Sequence, residues 1–162
     1  MVAKPHQIRR PVGAKEAGIT HALLAVDGSP ASVRAAERLR LLLRGFPDAR
    51  LTVIYVAHLP RDLQVNGAGE KLVVEFPLAG LVRATAAPAL SSALDALGSL
   101  AVRAETEVQV GEPASEICEY AHSEGVDLIV MGIRGTGPAE VAVGGVANKV
   151  LSMAGCPVLL VQ

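Results

Sequence analysis

Tryptophan is absent, and two tyrosines and two phenylalanines make up only 2% of the 162 residues. An aromatic interior is therefore excluded, and the 51% of hydrophobic residues must build a core from Val, Leu, Ile and Ala. That composition suits a parallel sheet buried beneath helices. An excess of charge is also missing: the formal net charge is −1 and the pI about 6.4. Such a surface exerts no global pull on nucleic acid or acidic membranes, so neither is an expected partner. The two cysteines, Cys118 and Cys156, have neither CxxC spacing nor a nearby ligand cluster. They read as reduced, mostly buried thiols rather than redox or metal groups. No run approaches the ~18 apolar residues that span a bilayer, and no apolar segment follows the basic N-terminus. A cytoplasmic protein is the expectation.

Standard catalytic signatures are lacking as well. There is no GxxxxGK[ST] phosphate loop, no GxGxxG after a strand, no GxSxG elbow and no HExxH metal motif. Gly67 and Gly69 lack both the preceding strand and the following Lys-Ser/Thr of a nucleotide loop. His6, His21, His58 and His122 are scattered over tail, strand ends and a late helical position, so they predict no metal site. Tyr55 and Tyr120 read as core or interface aromatics.

What is present is alternation. A chain of this length fits one domain of about 100–200 residues. Residues 1–18, basic and without apolar periodicity, read as a mobile tail, and residues 19–162 as the domain. "HALLAV" has strand length, and "DGSP" after it signals a turn. Ser29 suits a helix cap and Pro30 the first helical position. The helix turns Val33, Ala36, Leu39 and Leu43 inward until Gly45 and Pro47 stop it. "LTVIYV", Leu51 to Val56, is the second strand. The stretch from Leu59 to Gly80 reads as a long loop with at most a short helix, of a length that suits covering a site or partner surface.

"TAAPALSSALDALGSL" reads as a second helix that starts near Pro88 or bends there. "AETEVQV" alternates like an edge strand with one wetter face. "EPASEICEYAHSEG" turns Ala114, Ile117, Cys118 and Ala121 to one side, and Gly125 ends it. "VDLIVM" is a fourth strand, Val146 to Met153 a fourth helix, and "PVLLV" a fifth strand. Strands and helices alternating along the whole core mean α/β, with a parallel sheet and right-handed crossovers.

Ligands of such sheets sit beyond the carboxyl ends of the strands, where strand order reverses. "AVDGS" and "VMGIRG" are the two candidate ends. If their strands are neighbours, Asp27, Gly28, Met131 and Gly132 flank one crevice. Glycine allows close approach to the backbone, and helix-start amides favour anions.

"LLAVDGSPAS", "LTVIYV", "VQVGEPASEICEYAHSEGVDLIVMGIRG" and "GGVANKVLSMAGCPVLLV" together resemble the universal stress protein family, from about His21 to the end. The resemblance implies a Rossmann-like open sheet of five parallel strands in the order 3-2-1-4-5, with helices on both faces. It also implies a homodimer paired through the last strand, Pro157, Val158, Leu159, Leu160 and Val161. One branch of the family binds ATP through G-x2-G-x9-G followed by Ser or Thr; the other does not bind nucleotide strongly. By that similarity the first-strand end Ala25, Val26 and Asp27 meets adenosine, and Val56 and Ala57 line the adenine pocket. Met131, Gly132 and Gly135 begin the phosphate loop. Asp27 has a second reading, as a turn former with Gly28.

The loop's far end departs from the pattern. Nine residues after Gly135 stands Gly145, with Val146 where a hydroxyl is expected. Anchoring on "VANKVL" instead makes Gly144 the motif glycine and puts Gly145 in place of Ser or Thr, and this register is preferred. In both, the hydroxyl is lost, at a cost of about 1.5–3 kcal/mol, while backbone amides around Gly144, Gly145, Val146 and Ala147 stay to hold an anion. ATP or AMP is the expected ligand, weakly bound, without a metal motif and without catalysis. The alternatives are a nucleotide-independent dimer acting through protein contacts, and a weak ATPase with Glu140 as its one loop carboxylate.

Overall fold

The computed structural model describes residues 18–58, 78–135 and 143–162. The expected tail up to Ala17, most of the Leu59 to Gly80 stretch, and residues 136–142 with Glu140 lie outside the described residues. Strand β1 (His21–Val26) lies at the centre of the sheet and is buried along its whole length. It pairs in parallel with β2 (Arg50–Ala57) on one side and β4 (Leu128–Gly132) on the other. β3 (Ala104–Val110) and β5 (Val158–Val161) complete the order β3-β2-β1-β4-β5, as expected. The continuous apolar runs of β1 and β4 follow from this, because strands covered on both faces leave no position for a polar residue.

Successive side chains of a strand face opposite sides, and the core accordingly has two layers. Leu24, Val53 and Val130 pack under α1 (Pro30–Leu42) and α2 (Leu78–Leu97), through Ala36, Leu39 and Leu97. Leu23, Ile54 and Ile129 pack under α3 (Pro113–Ser123) and α4 (Gly145–Met153), through Ile117 and Val150. Each fully buried Leu, Ile or Val contributes about 1.5–3 kcal/mol. At the amino ends of the strands, buried His21 is held between the Glu124 carbonyl (Nδ1, 3.2 Å) and the Thr52 hydroxyl (Nε2, 3.0 Å). Its ring is thus part of the core's hydrogen bonding.

One boundary differs from the sequence reading. α2 begins at Leu78, well before Pro88, and runs through that proline. Pro88 removes one amide bond from the helix, but the buried stripe of Ala86, Ala89, Ala93 and Leu97 holds both halves on the sheet. Counting its short continuation, Gly80–Arg103 is long and apolar enough to cross a bilayer by length and composition, which the search for apolar runs missed. Of this segment the Ala86, Ala89, Ala93 and Leu97 stripe packs inward, while Leu81 and Val102 stay exposed.

Candidate functional site

The turn after β1 is built by three residues. The Ser29 amide donates to Asp27 Oδ1 at 3.0 Å, and Gly28 takes φ = +80°, a conformation that costs a side chain dearly. Ser29 caps α1: its Oγ accepts from the Ser32 amide at 3.2 Å. The same hydroxyl donates to the Arg134 carbonyl at 3.4 Å, joining the β1 turn to the β4 turn. Asp27 therefore does shape its turn, as one sequence reading held, through Oδ1. Ser29→Ala is expected to destabilise the fold by about 1 kcal/mol through the lost cap, read as a lowered urea midpoint at unchanged slope.

At the end of β4, Gly132 lies so close to α1 that a Cβ on it would stand 2.8 Å from Ala31 Cβ and 2.9 Å from the Ala31 carbonyl carbon. Gly135 comes equally near Asp27: a Cβ there would lie 2.5 Å from Oδ2. The Ile133 amide donates to the Val161 carbonyl, and the Gly144 amide to the Ile133 carbonyl, both at 2.7 Å. Gly144 then caps α4 without a side chain. The Gly144 amide, counted as an anion donor from the sequence, is thus engaged within the fold. The first-turn amides of Gly145, Val146 and Ala147 have no side-chain cap among the described residues, and they carry the positive end of the helix dipole.

Between these turns opens a cleft of about 450 Å3. β1 contributes Ala25, Val26 and Asp27; β4 and its turn contribute Met131, Gly132 and Gly135; α4 contributes Gly144, Gly145, Val146 and Ala147; and β2 contributes Val56. The expected residues thus come together, except Ala57. Ala57 is buried and its small side chain lies outside the lining. Sequence reasoning missed Ile54, Tyr55, His58 and Arg134, together with Pro113 and Ile117 of α3. Alternation from Val56 pointed to Ile54, and Arg134 stands between the two loop glycines. Nothing in the sequence brought α3 to the cleft. Apolar walls of Ile54, Ile117 and Met131 and a pole of amides beside Arg134 suit a flat apolar ring bearing an anionic group.

Lys149 stays outside the lining. Its Nζ donates to Glu112 Oε1 at 2.9 Å, while Glu112 Oε2 caps α3 by accepting from the Ser115 amide at 2.9 Å. These bonds, Lys149 first, hold the Glu112 carboxyl below the ordinary carboxylate range. A depressed folded-state pKa means that the contribution is complete above the unfolded value, about 4.3, and is lost as pH falls through the folded one. The pair is exposed, so that contribution is at most about 1 kcal/mol. A Glu112→Gln variant is expected to show a correspondingly shallower loss of stability below about pH 4, measured by urea unfolding across pH. Cys118 and Cys156 are free and half-buried, and burial pushes both thiols up, so they stay protonated at neutral pH. Among the described residues no three His, Cys, Asp or Glu side chains converge on a metal-sized site.

A doubly wound parallel sheet whose cleft opens between β1 and β4, where strand order reverses, defines a Rossmann-like α/β domain. The model of the universal stress protein family matches residues 18–162. Universal stress protein YxiE of Bacillus subtilis is 33% identical over 147 residues, covering 86% of this chain and 97% of that protein. The chain belongs to the universal stress protein family. Among solved structures, universal stress protein UspA from Lactobacillus plantarum superposes with a TM-score of 0.67 at 27% identity, covering 89% of this chain and 98% of that one. The universal stress protein from Archaeoglobus fulgidus, solved in complex with dAMP, has a TM-score of 0.55 at 23% identity, covering 90% and 98%.

Proposed function

We propose that this universal stress protein binds an adenine nucleotide, AMP or ATP, in the β1/β4 cleft and acts in the cytoplasm as a homodimeric stress-response regulator rather than a catalyst. The observation that carries the reading is the union in one cleft of apolar walls, the Asp27 carboxylate and the uncapped start of α4. The base lies between Ile54, Val56 and Met131, Asp27 accepts a ribose hydroxyl, and the α4 amides with Arg134 receive phosphate. The Archaeoglobus relative with bound dAMP supports the same ligand class. Without the loop hydroxyl, affinity is reduced rather than abolished. Calorimetric titration with AMP and ATP tests this: heat and a thermal shift support it, and neither at millimolar nucleotide overturns it.

The homodimer reading rests on β5, which ends the sheet among the described residues, and on the exposed Leu159 within it. An unpaired apolar edge favours pairing with a second copy. A sedimentation mass of one subunit at micromolar concentration counts against it. The same face serves the alternative, a nucleotide-independent dimer, which a dimer without nucleotide heat selects.

A further inference from the structure

We infer that the Glu112–Lys149 ion pair is a charge lock on the cleft: Glu112 holds the Lys149 ammonium off the anion pole, and Lys149 is a latent ligand for a phosphate chain longer than one group. The inference rests on the nucleotide reading above and concerns which nucleotide the cleft takes. Lys149 follows Gly145 by four residues and Val146 by three, so it shares their face of α4. Both of those residues line the cleft. Helical side chains lean back toward the helix start, which directs the Lys149 stem over Gly145. Among the described residues the space there is open, since a Cβ on Gly145 would meet none of them within 4 Å.

The ammonium is instead drawn sideways to Glu112 Oε1 at 2.9 Å. Glu112 does not depend on Lys149 for its place. Its Oε2 accepts from both the amide and the hydroxyl of Ser115, at 2.9 and 3.0 Å, which pins the carboxylate to the start of α3. Pro113, the next residue, is itself part of the cleft wall. The carboxylate is thus a fixed anchor, and the lysine is the mobile partner. Side-chain exposures of 59% for Lys149 and 38% for Glu112 make the pair cheap to part. With the lock closed, three α4 amides and Arg134 form a pole scaled to one phosphate; with it open, a second cation reaches the same pole.

The test is a double-mutant cycle read by calorimetry with AMP and ATP on the full chain, with thermal melts to monitor folding. Glu112→Gln keeps an acceptor for the Ser115 amide but gives up the charge. It is expected to tighten ATP about two- to fivefold, the most that releasing an exposed ion pair can return, and to leave AMP unchanged. Lys149→Gln alone is expected to leave AMP unchanged and to bind ATP no more tightly than the wild type, and the double variant to lose the ATP gain. An equal ATP gain in Glu112→Gln and in the double variant means a general field effect and overturns the lock. So does an ATP-to-AMP ratio that Glu112→Gln does not move while the wild type binds both nucleotides. Absence of binding in both wild type and Glu112→Gln overturns the lock together with the nucleotide reading. If Glu112→Gln does not fold, Glu112→Asp replaces it, since the shorter carboxylate still caps α3 but withdraws from Lys149.

Discussion

Gly132→Val is expected to lower stability by about 1–3 kcal/mol and to abolish nucleotide binding, read by urea unfolding and by calorimetry under conditions where the protein stays folded. The cause is steric and has no rotamer escape. A Cβ at this position would stand 2.8 Å from Ala31 Cβ, 2.9 Å from the Ala31 carbonyl carbon and 3.0 Å from the Ser32 amide. The last two are backbone, so relief requires the first turn of α1 to move. That turn carries the Ser29 cap, and Ser29 holds both the Asp27 carboxylate and the Arg134 carbonyl. Displacing it opens the cleft on two sides at once. A variant that keeps wild-type stability and affinity shows that the close approach of β4 to α1 does not organise the site.

Gly145→Ser is expected to act in the opposite sense, tightening ATP by about ten- to a hundredfold, the scale of one charge-assisted hydrogen bond. Among the described residues nothing lies within 4 Å of a new Cβ there, so the substitution clashes with none of them. It is also the first residue of α4, where a hydroxyl stands beside the amides of Val146 and Ala147. Val146→Thr is the matched control, because the other register of the loop puts the lost hydroxyl there. A gain from Val146→Thr and none from Gly145→Ser reverses the preferred register. The start of α4 at Gly145, with Gly144 capping it and bonded to the Ile133 carbonyl, favours Gly145.

Much of this architecture was legible along the chain. The run from Ala22 to Val26 has no polar residue because β1 is covered on both faces, and the motif Asp27-Gly28-Ser29-Pro30 carries its own turn and cap. The strand "AETEVQV" does lie at the sheet edge, as its polar alternation suggested, although none of its residues is buried and its exposure does not alternate. α2 was harder. Its first turns precede Pro88, and a proline within a helix reads as a boundary until the sheet beneath it is known to hold both halves. The cleft's outline was likewise half visible: Gly132 and Gly135 stood out, while Pro113 and Ile117 carried no local signal of a ligand wall.

The sequence by itself determined the α/β alternation, the Ser29 helix cap and the two strand ends that face each other across the cleft. Each of these depends on periodicity, turn chemistry or residue type within a few positions of chain. Only the tertiary structure decided that the Gly144 amide is engaged by Ile133, that α3 closes one side of the cleft, and that Lys149 is held by Glu112. Those outcomes depend on which distant segments meet, and burial of the two apolar layers on either side of the sheet is what brings them together.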